Sequence, residues 1–137
     1  MIRKIAFYSQ KRDTGKTTAC GNIGVALAAM GRRVLIVGLG GNACASRTFG
    51  RSVGGAESVV AAFRGKAALA SVVCETPGAA LRLAPGSPEL RTVQLAARLD
   101  EAGLLRADVF ALELAQLGED AFDYVLIDCP GGNPFMD

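Results

Sequence analysis

The sequence predicts an α/β fold with a mostly parallel sheet in three layers, over a single domain spanning residues 1–137. Three observations carry that prediction. Short apolar runs alternate along the chain with stretches of helical periodicity, the order that builds a parallel sheet. One run, Arg33 to Val37 (RVLIV), is continuously apolar after its leading arginine rather than alternating, as in a strand covered on both faces. Half of the residues are hydrophobic and mean hydropathy is +0.30, enough for a sizeable core in 137 residues.

The first strand is expected over Lys4 to Ser9 (KIAFYS), followed at once by a loop. From Lys16 the pattern turns helical. Ile23, Ala26, Leu27 and Met30 recur at i, i+3, i+4 and i+7, which predicts that they form the buried face. Gly31 stops this helix, and the RVLIV strand follows. Residues 38–55 are rich in Gly, Ser and Asn and read as a loop. A second helix is expected over Glu57 to Arg64 and a short strand over Leu81 to Ala84 (LRLA).

Pro85-Gly86-Ser87-Pro88 reads as a turn, with Ser87 placed to cap the next helix. Helical patterns then cover Glu89–Glu101 and Leu104–Leu117. The second carries two stripes, Leu105/Val109/Leu112 and Phe110/Leu114/Leu117, and is expected in the core. Tyr124 to Ile127 (YVLI) is the last strand, with Asp128 at its C-terminal end.

Composition narrows the functional classes. No apolar run reaches the roughly 20 residues of a membrane span. The N-terminus has no signal-peptide pattern, so the expected location is cytoplasmic and no membrane partner is expected. Four cysteines, Cys20, Cys44, Cys74 and Cys129, lack C-x-x-C spacing, and the chain has no histidine. Buried reduced thiols are the expected reading, not a zinc site. The net charge of +2 conceals an asymmetry: residues 1–51 hold nine Lys/Arg and one acid, whereas residues 100–137 hold nine acids and one base. The basic end suits an anionic ligand. Charge neutralisation within the fold or between copies accounts for the asymmetry equally well. Arg47, Arg51 and Arg64 are read as a solvated face in preference to a DNA contact.

The chemistry concentrates at Gln10–Thr18 (QKRDTGKTT). Thr14-Gly15-Lys16-Thr17 has the closing half of a phosphate-binding loop, G-x-x-x-x-G-K-[ST], in the required strand–loop–helix setting. Backbone amides of Thr14 to Thr18 would curl around phosphates at a helix N-terminus. Lys16 would neutralise phosphate charge and Thr17 would offer its hydroxyl to Mg²⁺. Asp128, after four apolar strand residues, is the candidate carboxylate for the metal's water shell. Asp128-Cys129-Pro130-Gly131 fits D-x-x-G, where the Gly131 amide would meet a terminal phosphate. The structural alternatives are a loop that no longer binds phosphate and a turn aspartate at a strand end.

These residues resemble the ParA/MinD/nitrogenase-iron-protein group of P-loop ATPases, with its loop K-G-G-x-G-K-[ST]. Lys11 falls on the group's extra signature lysine, five residues before Lys16. The resemblance runs on through Asn22 and Ala28–Val37 and resumes at Asp123–Asp128. It implies a P-loop NTPase-like fold, truncated relative to the family, that binds ATP or ADP with Mg²⁺. The loop ligands it implies are Lys11, Asp13, Thr14, Gly15, Lys16, Thr17 and Thr18. It also implies a dimeric switch in which Lys11 reaches the partner's phosphates.

Three departures bear on hydrolysis. Arg12 and Asp13 stand where the group has paired glycines, which allow torsions with φ > 0 and close approach to phosphate. Gly38 and Gly40 occupy the positions of the D-x-D that follows the second strand in ParA and MinD relatives. The iron-protein branch also has glycine at the first position, but Gly40 replaces an acid in both branches. The chain also ends nine residues after Asp128. Hydrolysis is therefore expected to be weak or lost, and Lys11 and Lys16 are the only catalytic candidates. No iron–sulfur cluster is expected, since Cys129 alone cannot replace the two cluster cysteines of that branch. In the group the first strand and the Asp128 strand are central, so one side of the sheet is expected to lie open. That edge would be covered by a homodimer or a partner chain.

The alternative function is a relic or fragment that binds no nucleotide and acts only as an interaction module. A small-molecule P-loop kinase is disfavoured, because no lid-like arginine cluster or acceptor-site acid is evident.

Overall fold

The computed structural model describes residues 2–7, 15–39, 59–63, 68–76, 81–86, 114–117 and 121–129. In chain order the elements are β1 (Arg3–Phe7), α1 (Lys16–Ala29), β2 (Val34–Gly38), α2 (Val59–Phe63), α3 (Leu69–Val72), β3 (Cys74–Glu75), β4 (Arg82–Ala84) and β5 (Tyr124–Asp128). The strands form one five-stranded sheet in the order β1-β5-β2-β4-β3. All pairings are parallel except β3 with β4.

Alternation along β2 divides the core into two layers. Leu35 and Val37 pack with Val125, Ala84, Val59, Ala62, Leu69 and Leu117 on one face. Val34 and Ile36 pack with Leu126, Leu83, Leu81, Cys20 and Ala28 on the other. Helix α1 covers the second face, while α2, α3 and residues 114–117 contribute to the first. The three-layer expectation is met. The VLIV part of the RVLIV run is buried along β2, as its unbroken apolar pattern requires, while Arg33 before it is exposed. Leu117 is buried and Leu114 packs beside it, in line with their place in the predicted stripe.

The buried face of α1 differs from the one its large apolar residues predict. Cys20, Gly21, Gly24 and Ala28 are buried, whereas Ile23 and Met30 are 43% and 71% exposed. Close approach explains the choice. A Cβ at Gly24 would lie 2.8 Å from Ile36 Cδ1 and 3.5 Å from Leu126 Cδ1. The helix rests on the sheet through its small residues, and a bulky face would hold it farther away. Gly31, at φ +82°, ends the helix as predicted. Its amide and that of Arg32 bond to the carbonyls of Ala28 and Leu27, a Schellman closure that favours glycine at the left-handed position.

The β3 strand and α3 were not signalled by periodicity, since two- and four-residue elements carry no readable period. The cysteine expectation is only partly met: Cys20 is buried, but Cys74 and Cys129 are half-buried, and all three are free thiols. Helices expected over Glu89–Glu101 and most of Leu104–Leu117 lie outside the described residues, as do Cys44, Arg47, Arg51 and Arg64.

The first strand occupies an edge. β1 pairs with β5 and with no other described strand, and Arg3, Lys4, Ile5 and Ala6 are all exposed.

Candidate functional site

The site is assembled where the C-terminal ends of three strands meet the start of α1. In register, Phe7, Asp128 and Gly38 end β1, β5 and β2 side by side. The Cys129 amide bonds to the Phe7 carbonyl at 3.1 Å, and the Leu39 amide to the Asp128 carbonyl at 2.9 Å. This crevice at the strand carboxyl ends is the general ligand location in open α/β sheets.

Gly15 is the N-cap of α1, with φ 81° and ψ 13°. That left-handed conformation is strained for residues with a Cβ. No heavy atom of the described residues lies within 4 Å of where a Cβ on Gly15 would sit. Among the described residues no side chain caps the helix, and no acid lies in its first turn. An uncapped helix start of this kind is a setting in which N-terminal amides and the positive end of the helix can meet an anion.

Thr17 lies in that first turn. Its Oγ1 donates to Asp128 Oδ2 at 2.8 Å, joining residues 111 positions apart. Asp128 is only 1% exposed. Asp128 lies two residues after Leu126 on β5, so it shares the sheet face that carries α1, and its carboxylate meets the helix start. A hydroxyl and a carboxylate form a hard oxygen pair, the donor chemistry that magnesium favours. These two residues therefore fit the metal assigned to them from sequence.

Thr18 is exposed on the first turn of α1, and Lys16 is the helix's first residue. Lys11, Asp13, Thr14 and Gly131 lie outside the described residues, as do Arg12 and Gly40. Gly38 is buried at the end of β2, opposite Asp128. The structure thus unites Gly15, Thr17 and Asp128.

A contact missed from sequence organises the opposite end of the sheet. Arg33 donates to Asp123 through its backbone amide at 2.9 Å, Nε at 3.4 Å and Nη2 at 3.0 Å. The Arg33 carbonyl in turn accepts from the Asp123 and Tyr124 amides. The Arg33 hydrogen bonds hold the Asp123 carboxyl down to about 2. This clamp aligns the starts of β2 and β5 and thereby sets the register that puts Gly38 beside Asp128. Opposite charges at the two strand starts were its only sequence signal.

Comparison with known proteins agrees with this geometry. An AAA domain family model matches residues 2–135. The chain is 31% identical over 132 residues to the chromosome-partitioning ATPase Soj of Treponema pallidum (strain Nichols), covering 95% of this chain and 49% of that protein. Among solved structures, cobyrinic acid a,c-diamide synthase from Mycobacterium smegmatis with bound ADP and magnesium superposes with a TM-score of 0.81. It is 30% identical and covers 95% of this chain and 51% of its own. The septum site-determining protein MinD from Pyrococcus horikoshii OT3, complexed with Mg-ADP, has a TM-score of 0.70 at 29% identity, covering 97% of this chain and 51% of its own. The chain spans about half the length of the curated relatives it matches.

Proposed function

The chain belongs to the AAA domain family, in the ParA/MinD-like group of P-loop ATPases, and on that premise we propose that it binds ATP or ADP with Mg²⁺ and hydrolyses ATP weakly or not at all. The observation that carries this reading is the Thr17–Asp128 hydrogen bond at 2.8 Å, set beside an uncapped helix start entered through left-handed Gly15. The ADP and magnesium present in two solved relatives support it.

In this reading the amides of Thr14 to Thr18 and the Lys16 ammonium hold the phosphates. Lys11, Asp13 and Gly131 complete the phosphate contacts. Thr17 and Asp128 hold the magnesium. The metal supplies charge neutralisation on the phosphates. The chain itself orients the nucleotide: Gly15 turns the backbone inward, and the amides at the head of α1 face the anion with no acid in the helix's own first turn. The Gly38 and Gly40 positions, which carry no acid, support slow or absent turnover, since a positioned water needs an acceptor. Such a protein works in the cytoplasm as a dimeric switch or partner-binding module.

Titration calorimetry with ATP·Mg²⁺ tests this. Wild-type protein is expected to bind, and Lys16→Ala to bind far more weakly. No heat and no thermal shift at millimolar nucleotide would sink the proposal. The exposure of β1 favours the second reading, an interaction module without nucleotide, should that occur.

A further inference from the structure

We propose that Arg33 and Asp123 are a positioning pair for the magnesium site: they fix the register of β5 between β1 and β2, and thereby hold the Asp128 carboxylate at Thr17. The inference rests on the proposed magnesium role of Thr17 and Asp128. It extends that site to two residues at the opposite end of the sheet.

Burial alone specifies this register poorly. Val34 to Val37 and Val125 to Ile127 are apolar at every position, and they supply both layers of the core. Sliding β5 by one residue past β2 therefore exchanges apolar side chains for apolar ones on each face. The same slide turns every side chain over, so Asp128 leaves the face that carries α1. A slide of two residues keeps the face. It still carries the carboxylate about 7 Å along the strand, out of reach of the hydroxyl that donates to it at 2.8 Å. The core tolerates such shifts far better than the site does.

Polar contacts just before the ladder discriminate between these registers. Asp123 directly precedes β5, and its main chain is held on both sides. Its carbonyl accepts from the Arg3 amide at 3.0 Å, and its amide donates to the Arg33 carbonyl at 2.8 Å. Its carboxylate accepts from the Arg33 amide at 2.9 Å and from Arg33 Nη2 at 3.0 Å. Main-chain groups recur at every residue, so the carboxylate is what makes the arrangement specific. Either slide takes it away from the Arg33 amide and out of line with the guanidinium. The pair is partly exposed, so it adds little to overall stability. Its effect is the difference between registers. Five residues of strand, about 16 Å, separate Asp123 from Asp128, so the pair acts on the metal only through the ladder.

ATP titration with Mg²⁺ and again with EDTA measures the gain in affinity that magnesium brings. Asp123→Ala should cut that gain about tenfold, the lower end of the effect of residues that orient metal ligands, with affinity in EDTA unchanged. Loss of folded protein lowers both affinities alike, so the core variant Leu117→Ala should leave the gain as it is in wild type. Asp123→Asn still offers an acceptor to the Arg33 amide and should recover part of the gain. Amide hydrogen exchange without nucleotide reads the register itself. Leu39 and Cys129, whose amides pair across the site end of the ladder, should lose protection in Asp123→Ala relative to the amides between β2 and β4. An unchanged magnesium gain in Asp123→Ala would overturn the inference. So would a loss in Asp123→Asn as large as in Asp123→Ala, or unaltered protection at Leu39 and Cys129. Should Asp123→Ala not fold, Arg33→Ala keeps the main-chain bonds and carries the same two readouts with a smaller loss. A wild type that binds no nucleotide removes the proposed function, and hydrogen exchange then decides the positioning role by itself.

Discussion

Gly24 connects the packing of α1 to the geometry of the site, and replacing it gives a sharp test. The helix lies on Ile36 and Leu126, and a Cβ at Gly24 would meet Ile36 Cδ1 at 2.8 Å and Cγ1 at 3.4 Å. The first distance is roughly 0.7 Å short of ordinary carbon–carbon contact. Ile36 is fully buried, so its methyl has little room to retreat. On helix propensity alone Gly24→Ala should stabilise by about 1 kcal/mol. Overpacking of a filled core costs about 1–3 kcal/mol, so the net effect expected is about 0–2 kcal/mol of destabilisation. Gly24→Val adds branching and volume against the same contact, and should cost more than Gly24→Ala.

Urea unfolding followed by circular dichroism measures both variants. The functional consequence is separable. Gly24 lies two helical turns beyond Thr17, so lifting the helix lengthens the Thr17–Asp128 hydrogen bond. Magnesium-dependent nucleotide affinity should therefore fall in Gly24→Val even where the protein remains folded. A Gly24→Ala variant stabilised by the full propensity gain of about 1 kcal/mol would refute the close packing, and with it the reason that Ile23 and Met30 are left outside.

Other outcomes follow from the same contacts. Asp128→Asn keeps an acceptor for Thr17 but removes the charge, so Mg²⁺-dependent nucleotide affinity should fall about 10–100-fold, read by titration with and without magnesium. Gly15→Ala forces a Cβ into the left-handed region and should destabilise by about 1–2 kcal/mol, whereas Gly15→Asn should cost less in the same unfolding assay. Asp123 has its folded-state carboxyl lowered from 3.8 to about 2. Its contribution is therefore complete above the unfolded value and is lost as pH falls from about 4 through about 2. In acid titration Asp123→Asn should flatten the stability loss in that window. The Arg33–Asp123 pair is partly exposed, with side chains 52% and 33% accessible, so added salt should shrink the difference.

Legibility followed the range of the interactions. The expected strands at Arg33–Val37, Leu81–Ala84 and Tyr124–Ile127 fall within a residue of β2, β4 and β5, since three or four apolar residues between breakers report a strand locally. Gly31 was readable as a stop because a left-handed helix end favours glycine. The face of α1 was misread because hydrophobic periodicity ranks residues by apolarity. Burial at this helix instead follows how closely a backbone can approach the sheet, which favours Cys20, Gly24 and Ala28 over Ile23 and Met30.

By itself the sequence determined the α/β class, most of the strands and helix α1, and the identity of the phosphate-loop and aspartate candidates. Those features rest on local periodicity, turn chemistry and the spacing of a motif along one stretch of chain. Tertiary structure decided what no local window contains. It inserted β5 between β1 and β2, which brings Asp128 to Thr17 from 111 residues away. Strand order depends on which sheet surfaces α1 and α2 can bury together, and that is a property of packing between distant segments rather than of any segment alone.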